Sequence, residues 1–181
     1  AQRGGAVHRA GLQQYLRQAC LKNMPYDQLA YELVTATGAS RPDHPQFNGA
    51  VNFLADKLGG AGITAASLAT ARTSEIFLGV RLQCVQCHNH PFTGWKQNEY
   101  WGMATFFMKV RADNANRAAR NGESPGVTEG PQINRNRRSL PESAKMVPAK
   151  FLQGAEPKLA EKAPYLSLIP LCRCRRSTMC R

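Results

Sequence analysis

Apolar residues recur at helical spacing through the first 111 positions of the chain and lose that rhythm afterwards. In HRAGLQQYLRQACLK (8–22), Leu12, Tyr15, Leu16, Ala19 and Cys20 fall on one face of a predicted helix. Asn23 interrupts it, and Pro25 suits the first turn of a second helix. In PYDQLAYELVTATG the stripe is Leu29, Leu33 and Val34, with Gly38 as the expected stop. SRPDHPQFNG reads as a loop from its Pro, Asp and Asn content. AVNFLADKL (50–58) predicts a short helix ended by Gly59 and Gly60.

A longer helix is expected over ITAASLATARTSEIFLGVRLQC (63–84), with Thr64 as its cap. Leu68, Ala71, Glu75, Leu78 and Leu82 mark its inner face, which Ile76 and Phe77 widen. So apolar a segment predicts a central helix. NHPFTG then turns the chain into KQNEYWGMATFFMKVR (96–111), which carries Tyr100, Met103, Phe107 and Val110 on one side.

Beyond position 112 the pattern fails. NANRAARNGESPGVTEGPQINRNRRSLPES is rich in Asn, Arg, Gly, Pro and Ser and reads as a linker or disordered segment. KFLQGAEPKLAEKAPYLSLIPL regains some apolar residues without a clear period. No internal repeat and no strand set large enough for a sheet is visible. The expected fold class is therefore all-α. It comprises a domain of about four to five helices over 8–111 and a largely irregular basic tail over 112–181.

Composition agrees with one domain plus a tail. The chain has 181 residues and a mass of 19.9 kDa, with 43% hydrophobic residues and a mean hydropathy of −0.42. No run approaches the roughly 18 consecutive apolar residues that a membrane-spanning helix needs. The net charge is +12. Residues 1–111 carry 11 basic against 6 acidic residues, and the shorter 112–181 carries 13 against 6. The excess thus concentrates in the tail, where a solvated basic segment is the simplest reading. No nucleic-acid-binding module accompanies the charge, so a specific nucleic-acid partner is not expected.

Six cysteines are too few for a disulfide scaffold in a chain of this length. Cys20 stands alone in the first helix, and Cys172, Cys174 and Cys180 crowd the terminus. The informative group is Cys84-Val85-Gln86-Cys87-His88, the spacing of a c-type haem attachment site. Within a helical turn, positions i, i+3 and i+4 lie on one face. Two thiols so placed add to different haem vinyl groups, and the adjacent imidazole becomes the proximal iron ligand. At this chain's own residue frequencies, a CxxC arises by chance about 0.2 times and a CxxCH about 0.004 times. The full pentapeptide is therefore the stronger signal.

Zinc is the alternative cofactor. Cys84, Cys87, His88 and His90 are all good zinc ligands, but a second ligand pair at zinc-knuckle spacing is missing and Cys87 adjoins His88. A structural disulfide is a third reading. For the sixth position on a haem iron, Met103 is the candidate; Met108 and His44 are others. Phe92, Trp95, Tyr100, Trp101, Phe106 and Phe107 would either wall a porphyrin or form the core. Arg72, Arg81 and Lys96 are candidate partners for haem propionates. Asp27, Glu32, Asp43, Glu75 and Glu99 are too scattered for a general acid–base pair. An electron-transfer module is thus expected rather than a catalyst acting alone.

The run ATARTSEIFLGVRLQCVQCHNHPFTGWKQNEYWGMATFF closely resembles the core of a planctomycete cytochrome-c-like domain of unknown function, and NMPYDQLAYELVTATG is similar to its N-terminal part. The likeness covers about residues 8–111. It implies a haem c domain, with Cys84 and Cys87 as anchors and His88 as ligand, in a large exported protein of the periplasm or cell surface. A redox partner protein or a neighbouring cytochrome domain of the same chain is implied with it. The tail departs from that pattern, and the abrupt LCRCRRSTMCR predicts a truncated or frame-shifted reading frame.

Overall fold

A computed structural model describes residues 7–58, 63–112, 126–130, 147–150 and 152. Five α-helices dominate these residues: α1 (Arg9–Leu21), α2 (Tyr26–Thr35), α3 (Val51–Lys57), α4 (Ile63–Leu78) and α5 (Gln97–Met108). Each lies where the apolar spacing predicts one. Along α1 the inward residues are Gly11, Leu12, Tyr15, Leu16 and Ala19, while Cys20 is exposed. His8 caps this helix, its Nδ1 accepting from the Gly11 amide at 2.9 Å. The His8 amide donates to Asn52 Oδ1 at 2.6 Å, and Asn52 Nδ2 donates to the carbonyls of Ser40 and Gly49. The fully buried Asn52 side chain therefore ties α1, α3 and the intervening loop together.

The fold is mostly helical rather than all-α, because a small antiparallel sheet joins the helices. Its strands are β1 (Gly38–Ala39), β2 (Val110–Ala112) and β3 (Gly126–Glu129), with β3 in the middle. Gly38 pairs with Val127 and Val110 with Glu129. Strands of two to four residues are too short to leave an alternating pattern that can be read from sequence. β3 lies past residue 111, where helical periodicity ends, yet its Val127 is fully buried in the main core. A side chain at Gly126 would collide with the Gly38 carbonyl, so the close strand approach needs glycine there.

The inner face of α4 is not the one its leucines suggest. Ala65, Ala66, Ala69, Thr70, Thr73 and Ser74 are buried, whereas Leu68 and Ile76 are exposed. Small side chains let α4 lie close against α5, and their hydroxyls are partly satisfied within the helix. Thr70 Oγ1 donates to the Ala66 carbonyl at 2.7 Å and Ser74 Oγ to the Thr70 carbonyl at 2.9 Å. The helix enclosed on all sides is α5, buried at every position from Tyr100 to Phe107. Phe106 and Phe107 join the main core with Val34, Val51 and Leu54. Tyr100, Trp101 and Ala104 form a second cluster with Leu82 and Val85.

Candidate functional site

The second cluster is the floor beneath the CxxCH sequence. α4 stops at Leu78, six residues before Cys84, rather than running on to it. Gly79 adopts a left-handed conformation with φ +68°, and the Val80 amide turns back to the Ser74 carbonyl at 3.1 Å. Ion pairs flank this end: Glu75 meets Arg72 at 2.8 Å and Arg81 at 3.1 Å. These two arginines, read from sequence as propionate partners, thus share one carboxylate.

The motif itself forms a 3-10 turn, Gln83–Gln86, with Cys87 closing it. In a 3-10 turn the side chains at i and i+3 eclipse one another. Leu82 and Val85 obey that spacing and are both fully buried, which pins one side of the turn to the floor. Cys84 and Cys87 obey it on the outer side, where both are exposed free thiols. The turn is therefore a 3-10 turn rather than the α-helical one expected, and it ends before His88.

α5 grips the turn from below. The Gln86 carbonyl accepts from Trp101 Nε1 at 3.2 Å and from Gln97 Nε2 at 3.1 Å. Trp101 stacks edge-on against Tyr100, with ring centroids 5.1 Å apart. The Tyr100 hydroxyl donates to the Ser67 carbonyl of α4 at 3.0 Å. Burial pushes the Tyr100 phenol up to about 12. Tyr100, Trp101, Phe106 and Phe107 are thus core residues, while Phe92, next to the motif, is 92% exposed.

His88 is exposed, and its Nδ1 lies 2.7 Å from the Asn89 carbonyl. A carbonyl only accepts, so in the neutral ring this contact selects the tautomer with the proton on Nδ1 and the lone pair on Nε2. Asn89 is held in turn, because its Oδ1 accepts from the Gln97 amide at the start of α5 at 2.9 Å. His90 does something else. Its Nδ1 accepts from the amides of Phe92 and Thr93 at 3.2 and 3.1 Å, and its own amide donates to the Trp95 carbonyl at 2.9 Å. The ring organises the loop, and one of its nitrogens is already engaged. His44 behaves similarly, accepting from the Gln46 amide.

Met103 is buried in α5 at 6% exposure, in contrast to the exposed His88; Met108 is half-buried against both clusters. Lys96 precedes α5 and is exposed, with its amide on Glu99 Oε2 at 3.0 Å. Glu32 accepts from the Tyr15 hydroxyl at 2.6 Å, so like Glu75 and Glu99 it already has a structural partner. Among the described residues, no three His, Cys, Asp or Glu side chains gather as a metal-ion site. Cys172, Cys174 and Cys180 lie outside the described residues. Asn89, Gln97 and the Gln86 carbonyl escape sequence reasoning because they are polar groups that act through backbone atoms and leave no spacing signature.

Two exposed thiols and an exposed imidazole whose Nε2 has no partner among the described residues are of the donor types that covalent haem attachment uses. The fold and this turn define a class: a mostly helical domain presenting CxxCH at its surface. The chain belongs to the PSCyt2 family, described as proteins of unknown function (DUF1549), whose profile matches residues 2–112. No curated protein and no solved structure matches it.

Proposed function

We propose that the chain is a c-type haem-binding module for electron transfer or redox sensing within an exported multidomain protein. The observation that supports this best is the 3-10 turn, with Cys84 and Cys87 three residues apart and exposed while Leu82 and Val85 are buried. Each thiol would add across a vinyl group, its sulfur bonding to one carbon and its proton going to the other, with no outside oxidant. His88 would ligate iron through Nε2. Bound haem would supply a one-electron iron couple. The chain's own part is to fix the thiol spacing, hold the imidazole tautomer and keep the turn from collapsing onto the core. Haem c is attached on the oxidising side of a membrane, so the periplasm or cell surface is the proposed location. The proposed partner is a redox protein or a further cytochrome domain. Among the described residues no helix is long and apolar enough to cross a membrane.

Expression with a cytochrome c maturation system tests the reading. The expected result is Soret absorbance that survives denaturation and a pyridine haemochrome band typical of two thioethers. Cys84→Ala or Cys87→Ala should shift that band to the one-thioether position, and the double variant should lose covalent haem. A colourless product that contains zinc by elemental analysis would replace haem with a site at Cys84, Cys87, His88 and His90.

A further inference from the structure

We infer that Asn89 is the residue that sets which nitrogen of His88 is offered to a ligand. Two contacts made by this one residue carry the inference. Its backbone carbonyl receives the His88 Nδ1 proton at 2.7 Å, and its side-chain Oδ1 receives the Gln97 amide at 2.9 Å. Gln97 begins α5, whose first-turn amides have no partner within the helix. Asn89 occupies one of them from eight residues upstream, although the position flanking the helix is held by Lys96, whose side chain has no oxygen. The partial positive charge at the start of the helix strengthens the bond.

This anchor matters because His88 and the carbonyl it meets are neighbours in the chain. Their geometry depends on the orientation of one peptide unit, and the Oδ1 bond fixes the residue that carries it. Below the turn, Gln97 Nε2 and Trp101 Nε1 fix Gln86. α5 thus holds the motif on both sides of Cys87 and His88. A partner on the distant ring nitrogen determines tautomer and orientation in metal-bound histidines, and losing it weakens ligation by about 10–100-fold. Asn89 is accordingly a positioning residue. Its purpose rests on the haem reading, but the tautomer it imposes is a property of the chain alone.

The test is long-range proton–nitrogen correlation NMR on the haem-free, full-length chain labelled with nitrogen-15, at a pH where the ring is neutral. The wild-type protein should show His88 protonated on Nδ1. Asn89→Ala should shift the population toward Nε2 protonation, and Asn89→Asp, which keeps the acceptor oxygen, should restore it. A second pair removes the same bond from the other end. Gln97→Pro deletes only the amide and the side chain, at a first-turn position that tolerates proline. Gln97→Ala deletes the side chain alone. Loss of the Nδ1 tautomer in the proline variant, with retention in the alanine variant, supports the inference even if Asn89→Ala fails to fold. Nε2 protonation in the wild type, or an unchanged tautomer in Asn89→Ala or Gln97→Pro, overturns it. Failure of the haem reading would appear separately, as a colourless mature protein whose His88 is still protonated on Nδ1.

Discussion

Thr73 is fully buried on α4, and its hydroxyl has no hydrogen-bond partner among the described residues. An unsatisfied buried hydroxyl costs roughly 1–3 kcal/mol, whereas an apolar group of the same shape does not. Thr73→Val should therefore raise stability by about 1 kcal/mol in urea denaturation. An unchanged or lower midpoint would show that the hydroxyl is satisfied. Asn52 is the opposite case, since all three of its hydrogen bonds are made in the interior. Asn52→Leu should lower stability by about 1–3 kcal/mol, because it removes the acceptor of the His8 amide and the side-chain amide that donates to Ser40 and Gly49. Tyr100 gives a pH signature. Its phenol is pushed from the usual 10 to about 12, chiefly by burial, so the folded state favours the neutral form. That contribution is whole below pH 10 and disappears as the pH rises toward 12. Tyrosinate absorbance should report a late-ionising group that is missing in Tyr100→Phe. The phenol of Tyr15 is also raised, by burial and then by Glu32, and should remain in that variant. Cys84, Cys87 and His88 stand out in the sequence because their residue types and spacing propose a chemistry for them. What holds them does not, since the Asn89, Gln97 and Trp101 bonds all end on or begin from backbone groups that every sequence possesses.

At the scale of elements, hydrophobic spacing located all five helices but misjudged which one lies at the centre. The large apolar residues of α4 drew attention to Leu68 and Ile76, yet close approach to α5 favours the alanine and hydroxyl face. Packing inverted the rule that larger side chains face inward. Spacing also extended α4 to Cys84, because Val80 and Leu82 continue an apolar pattern that the left-handed Gly79 interrupts. A β-carbon at Gly79 would touch nothing within 4 Å, so only backbone strain opposes Gly79→Ala. That substitution should cost roughly 1–2 kcal/mol. If α4 instead lengthened without loss of stability, the glycine would not be what ends the helix. Strands of two to four residues leave no alternating pattern, and β3 lies in a stretch whose composition reads as linker.

Across the molecule, residues 126–130, 147–150 and 152 contribute to the structure that the described residues up to 112 form. Val127 and Ala149 are buried in the main core, Val147 and Leu152 pack against the floor of the CxxCH turn, and the Lys150 amide donates to the Gly102 carbonyl at 3.1 Å. A chain ending at 112 should lose at least the roughly 1.5–3 kcal/mol that burying Val127 contributes, seen as a lower thermal midpoint. An equal midpoint would assign these later residues no part in stability. The middle strand being the last made has a kinetic consequence. β1 and β2 both pair with β3 and are not neighbours of each other, so neither finds its partner until residue 129 has been synthesised. Gly38 must then wait for Val127, a closure across nearly half the polypeptide. Such distant pairing is slow compared with helix formation. Refolding should therefore proceed in two phases, with helical circular dichroism recovering early and protection of the Gly130 amide, which donates to the Lys109 carbonyl beside β2, arriving late.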